Sequence, residues 1–218
     1  MSQARRNLER EKRKRIEKLR KIRELDIRHF YVLTRPGGEK LRPSEAIKQA
    51  KLLLSKKLKP EDFISARNLR LKIELVPSPL WKKSLRNTFP KTAWETIRGI
   101  EMKRANGKCE ICGRPGVECH EKWIYDDQDH KQKLTGFEIV CKDCHLVHHY
   151  GRAVMQGLGE KARVHFERVN GLGDQEALRE IRLALALYWL RSEADWTQDL
   201  SFLHEYSEAH NLRSLTPA

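Results

Sequence analysis

The chain predicts an α+β fold: a small metal-stapled strand–strand–helix module, flanked by helices and preceded by a basic helical N-terminal extension. Three observations predict it. Four of the five cysteines form two C-x2-C pairs, Cys109/Cys112 and Cys141/Cys144, with 28 residues between the pairs. Two strand-like stretches separated by a polar turn lie between the pairs, and a helical pattern starts at the second pair. Charge is regional, because residues 1–60 hold 20 Lys and Arg against 7 Asp and Glu, whereas residues 61–218 hold 24 against 23.

The elements follow in order. Residues 1–28 contain no Gly or Pro and are rich in Arg, Lys, Glu, Leu and Ile, which favours a helix. Its apolar stripe of Leu8, Ile16, Leu19, Ile22 and Leu25 is too thin to dock firmly on a core. Residues 29–76 read as a small helical and strand region of unassigned role. In it Arg35-Pro36-Gly37-Gly38 is a turn, and Ser44 caps a helix through Ala46, Ile47, Ala50, Leu53 and Leu54. A short helix follows Pro60, and Leu69–Val76 alternates apolar with charged residues as a half-buried strand does. The main domain is expected over 77–200, with its core at 109–152 and a tail at 201–218. Thr88–Arg104 reads as a helix with Trp94, Ile97 and Met102 inward, stopped by Asn106-Gly107. Gly116–Tyr125 and Leu134–Val140 read as a hairpin whose turn carries Asp126, Asp127, Gln128 and Asp129. A helix starts at Lys142, and Leu178–Leu190 is apolar enough to be a core helix, with Trp189 and Trp196 as anchors.

The net charge of +14 is concentrated in the first 60 residues. A concentrated basic segment suits a polyanion, since each neutralised phosphate releases counterions. The candidate nucleic-acid contacts are Arg5, Arg6, Arg10, Lys12, Arg13, Lys14 and Arg15, with DNA as the first partner and a protein or RNA as the alternative for the same helix. No apolar run approaches the roughly 18–20 residues that span a bilayer, because the best, Ile181–Leu190, contains Arg182. No apolar segment follows the N-terminal charges, so a cytoplasmic protein is expected, without a membrane partner.

The cysteine spacing carries the strongest chemistry. A C-x2-C turn aims two thiolates at one ion, and two such turns complete a tetrahedral site for structural Zn2+. Without a secretory signal, metal is the better reading than disulfides. His145 and His149 stand at i and i+4 and share a helical face. In a strand–strand–helix unit His120 can face them, which makes a second metal site with an open position, and open sites suit catalysis.

From Cys109 to Arg152 these residues (CEICG, VECHE, YDD, CKDCHLVHHYG) resemble the HNH endonucleases, in the zinc-stabilised, treble-clef-like form of the ββα-metal superfamily. A weaker resemblance extends over about residues 77–200. It implies a metal-dependent endonuclease that hydrolyses phosphodiester bonds with a histidine-activated water and one divalent ion, Mg2+, Mn2+ or another. On the family's E-x-H-H pattern His120 is a metal ligand and Glu121 the base. On its D-H pattern Cys119 takes the metal position and His120 is the base. The second suits the chemistry better, since imidazole titrates near about 6.5 and glutamate near about 4.3. The resemblance gives His145 and His149 to the catalytic ion. The family's central Asn is absent, with Gly136 near its place.

Plainer readings stand beside these. The module can be a non-catalytic, zinc-stabilised nucleic-acid-binding or assembly subunit of a larger complex. His148 is expected to be exposed, His130 solvated, Cys119 a small buried residue, the aspartates a solvent-facing turn, and Trp123 and Tyr125 hairpin packing.

Overall fold

The computed structural model describes residue 65 and residues 67–212, with the side chain of Trp189 left out. The expected helices at 1–28, after Pro43 and after Pro60, the basic residues Arg5 to Arg15 and the Trp189 anchor lie outside the described residues and side chains.

A single 3-10 turn at Ser78–Leu80 follows Pro77, and the short helix α1 spans Leu85–Thr88. Helix α2, Lys91–Arg104, starts behind Pro90, so the expected helix from Thr88 is divided there. Ala93, Trp94, Ile97 and Glu101 form its buried face at helical spacing, while Met102 is only partly buried. Gly107, at φ 64°, closes α2 by donating its N–H to the Met102 carbonyl at 3.0 Å.

Strands β1 (Glu118–Asp126) and β2 (Lys131–Val140) pair antiparallel. A short β3, Thr197–Asp199, adds parallel to β2, giving the order β1-β2-β3. The chain is thus a mixed α+β fold with a small three-stranded sheet. The ladder is interrupted where Lys122 pairs with Gly136 but Trp123 pairs with Leu134, leaving Thr135 as an extra residue. This bulge explains the uneven apolar spacing of β2. Ile139, Phe137 and Leu134 oppose Cys119, Glu121 and Trp123, so one face stays apolar along the hairpin despite the odd step. That face packs with Trp94 and Ile97 of α2 and with Leu203 and Tyr206 of the last helix, α7.

Helix α3 (Lys142–His148) is followed directly by α4 (Tyr150–Met155), α5 (Gly159–Asn170) and α6 (Asp174–Arg191). Helices α3, α4 and α5 pack together and bury Val147, Tyr150, Ala153, Ala162 and Phe166. Helix α7, Phe202–Ala209, belongs to the core rather than to a tail, and the expected boundary at 200 therefore cuts through packed structure. Its Tyr206 hydroxyl donates to Glu101 on α2 at 2.8 Å.

The expected strand at 69–76 joins no sheet. Its backbone groups are satisfied elsewhere. The Leu71 N–H and carbonyl meet the Asn170 side chain at 3.1 and 2.9 Å, and the Glu74 N–H donates to the His148 carbonyl at 3.0 Å. The segment is a strap tied to the ends of α5 and α3. Alternation marked its half-burial correctly, but its hydrogen-bonding partners are helical.

Candidate functional site

The first C-x2-C pair sits in the loop after α2. The Cys112 N–H points to the Cys109 sulfur at 3.5 Å, and Gly113, at φ 76°, turns the chain and donates to the Cys109 carbonyl. The second pair opens α3, with Cys141 as N-cap and its sulfur accepting the Cys144 N–H at 3.4 Å. Gly116 lets the first loop lie against the sheet. A Cβ there would stand 2.5 Å from a methyl of Ile139 and 2.8 Å from the backbone of Lys108.

These turns bring the four sulfurs within 4.8 Å of one another. The thiols form no disulfide, and Cys112 and Cys141 stand 3.6 Å apart. Four sulfurs about 2.3 Å from a zinc ion would lie about 3.8 Å from each other, so the cluster could hold zinc. Two donors that sequence spacing did not single out surround it: Arg114 lies 3.4 Å from the Cys141 sulfur, and His165 of α5 lies 3.2 Å from the Cys144 sulfur. Arg114 and Lys161 both pair with Asp143 at 3.0 and 2.9 Å, which holds positive charge beside the sulfurs.

A second cluster is built on β1 and the C-terminal end of α3. His120 of β1 is buried, and it meets His145 and His149 edge-to-face, with ring centroids 5.6 and 5.2 Å away. His145 and His149 meet edge-to-face too, with Nε2 atoms 3.1 Å apart. An ion about 2.1 Å from two ligand nitrogens separates them by roughly 3.0–3.4 Å, so that pair is set for metal. Burial, then the nearby His120, pushes the His145 imidazole down to about 4 and His149 lower still. Both are neutral near pH 7, the form that ligates metal.

His148 is fully buried rather than exposed, at 2% accessibility, because the helix turns it under the hairpin. It stacks on His120 at 4.2 Å, with the rings 9° from parallel. Its Nδ1 lies 3.8 Å from Glu74 and its Nε2 3.3 Å from Glu138, and neither nitrogen makes a hydrogen bond. Glu74, His120 and His148 also bring ligand atoms within 4.8 Å. Ring geometry separates the two histidine sets. Imidazole lone pairs lie in the ring plane, and two parallel stacked rings aim them along parallel planes, whereas mutually perpendicular rings can converge on one point. His120, His145 and His149 are therefore the better metal group among the described residues.

Strand parity takes Glu121 out of the expected site and leaves Cys119 the small buried residue of the plainer reading. Cys119 and Glu121 point into the apolar core, away from His120. The Glu121 carboxylate accepts the Leu85 N–H at 2.9 Å and the Trp123 indole N–H at 3.0 Å, and burial pushes its pKa up. It anchors the start of α1 and does not reach the histidines. Cys119 is buried with its thiol pushed up to about 12 by desolvation and then by Glu101, consistent with a packing role. Among the described residues His145, His148, His149, Glu74 and Glu138, the last paired with His120 across the ladder, lie on its side. Glu74, outside every expected site, accepts a hydrogen bond from His120 Nε2 at 3.1 Å. Burial alone would raise its pKa, but that hydrogen bond and the charges of His148 and His120 hold it below the usual carboxylate value.

No family model, curated protein or solved structure matches this chain.

Asp127, expected in open solvent, is instead gripped by Arg191 of α6 through two bonds of 2.7 and 2.8 Å. Asp126 does close the turn, accepting the N–H groups of Gln128 and Asp129. Trp123 and Tyr125 serve packing, the latter against Trp196 at 5.3 Å. Exposed His130 stands 5.6 Å from the same indole. Gly136, at the bulge with φ 155°, presents no side chain to the histidines. Among the described residues no helix is long and apolar enough to cross a membrane.

Proposed function

We propose that the chain is a metal-dependent DNA endonuclease of the HNH type. The observation that carries this reading is the convergence of His120, His145 and His149 from a strand and the following helix, apart from the four-cysteine cluster. On this reading the cysteines hold structural zinc that locks the first loop to the start of α3. His145 and His149 hold the catalytic ion. When bound, a divalent ion such as Mg2+ or Mn2+ supplies Lewis-acid stabilisation to the scissile phosphate and its leaving oxygen.

His120 takes a proton from the attacking water, which its place beside the metal pair and the absence of Glu121 from that side both favour. Arg86 and Arg152 are exposed and close enough for their charges to depress His145, so they suit a phosphodiester backbone entering the site. The basic extension adds sequence-independent attraction.

Plasmid incubated with the zinc-loaded protein and Mg2+ or Mn2+ tests the reading. Nicking that disappears in both His120→Ala and His145→Ala is expected. Cleavage surviving both substitutions would assign the activity to another site. A non-catalytic nucleic-acid-binding subunit is the second reading, favoured by the concentrated basicity of residues 1–60; it predicts DNA binding without cleavage under every metal.

A further inference from the structure

We propose that Glu74 is the positioning residue of the histidine site, holding His120 in the tautomer that turns its Nδ1 lone pair to the reaction. The inference rests on the nuclease reading only for its activity arm. Glu74 comes from the strap, 46 residues before His120, and its Oε2 lies 3.1 Å from His120 Nε2. A carboxylate accepts and does not donate, so the proton of this bond sits on Nε2. The only nitrogen left with a lone pair is Nδ1. A histidine that takes a proton from water needs that arrangement, and so does one that ligates a metal through its free nitrogen.

Three further contacts make the arrangement rigid. The Glu74 N–H is tied to the His148 carbonyl at 3.0 Å, so the carboxylate is mounted on the same helix that carries His145. The Leu71 backbone is clamped by Asn170 at 2.9 and 3.1 Å, which fixes the strap three residues earlier. His148 lies flat against His120 at 4.2 Å and sets its ring plane. Glu138, directly across the ladder from His120, faces the far nitrogen of His148 at 3.3 Å. The strap thereby completes a site that the hairpin and α3 leave unfinished.

Nitrogen-15 NMR of His120 in the full-length, zinc-loaded protein tests this directly. Wild type is expected to carry the Nε2–H form. Glu74→Ala should release His120 from a single Nε2–H form into a mixture that contains Nδ1–H, and Glu74→Gln, whose amide oxygen can still accept the bond, should restore the single Nε2–H form. In plasmid cleavage at saturating Mn2+, Glu74→Ala should lower kcat about 10–100-fold with KM for DNA little changed. An Nδ1–H wild type, or a Glu74→Ala protein with the wild-type tautomer, would overturn the proposal. If Glu74→Ala does not fold, the wild-type spectrum decides: a single Nε2–H form is expected, and a His120 exchanging between both tautomers would overturn the proposal. A wild type that cuts no DNA sinks the nuclease reading and leaves the tautomer result standing.

Discussion

At the scale of single residues, the alternation of one strand divides chemistry from packing. His120 looks toward α3, while Cys119 and Glu121 look into the core, and a shift of one residue would exchange them. Glu121 has a structural job with a measurable cost. Glu121→Ala leaves the Leu85 and Trp123 N–H groups without their acceptor, and a loss of about 1–3 kcal/mol is expected in urea unfolding. Mn2+ binding should be unchanged in that variant, whereas His145→Ala should abolish it. A Glu121→Ala protein that binds Mn2+ more weakly at full stability would return Glu121 to the site. Gly116→Ala is a second case. A methyl group 2.5 Å from Ile139 and 2.8 Å from backbone must displace the first cysteine loop, so destabilisation of about 1–3 kcal/mol and weaker zinc retention are expected, read by chelator competition. Both His120 and the two cysteine pairs were legible in the sequence because their chemistry is written in residue type and short spacing. Glu74 was not, because nothing local distinguishes a glutamate in an alternating segment from any solvated one.

Among elements, the hairpin is held at its base by cysteines that flank it in sequence and at its tip by a helix 64 residues further on. At its base the four cysteines join it to α3. At its tip Arg191 of α6 grips Asp127 and covers the Tyr125 ring at 4.2 Å, while Trp196 packs on the same ring and donates to the Arg191 carbonyl at 2.6 Å. Arg191 and Asp127 retain only 12% and 16% side-chain exposure, so removing one leaves the other charge poorly solvated. Arg191→Ala should therefore cost about 3 kcal/mol, while the paired change Arg191→Met with Asp127→Asn should cost less. Denaturant midpoints of the three proteins check this, and equal losses would mean that the ion pair is not what holds the tip. The hairpin itself was readable from alternation. Its bulge was present as the uneven step from Leu134 to Phe137, but β3 was not readable. A three-residue strand carries too little pattern, and it is a strand only because β2 offers it a free edge.

For the molecule as a whole, the cysteine cluster ties the first loop to the start of α3, beside the core between sheet, α2 and α7. Stripping metal with a strong chelator should release one zinc per chain and lower the thermal midpoint substantially, with recovery on adding zinc back. An unaltered midpoint would mean that the cluster is not a structural metal site. The basic extension tests the other half of the functional reading. Deleting residues 1–28 should weaken DNA binding and flatten its salt dependence, since each lost phosphate contact removes about 0.9 from the slope of log K against log salt. Cutting at saturating protein should persist. A slope that does not move would remove the extension from the DNA interface. By itself the sequence determined the α+β class, the four-cysteine cluster, the i and i+4 spacing that pairs His145 with His149 at the cap of α3, and the concentration of charge, because each depends on spacings within a few residues or on composition. Only tertiary structure decided which face His120 occupies, that His148 is buried, that Glu121 braces α1 and that Glu74 reaches the site. Those depend on strand register and on contacts across 36 and 46 residues, where position is set by packing of the whole domain and no local pattern encodes it.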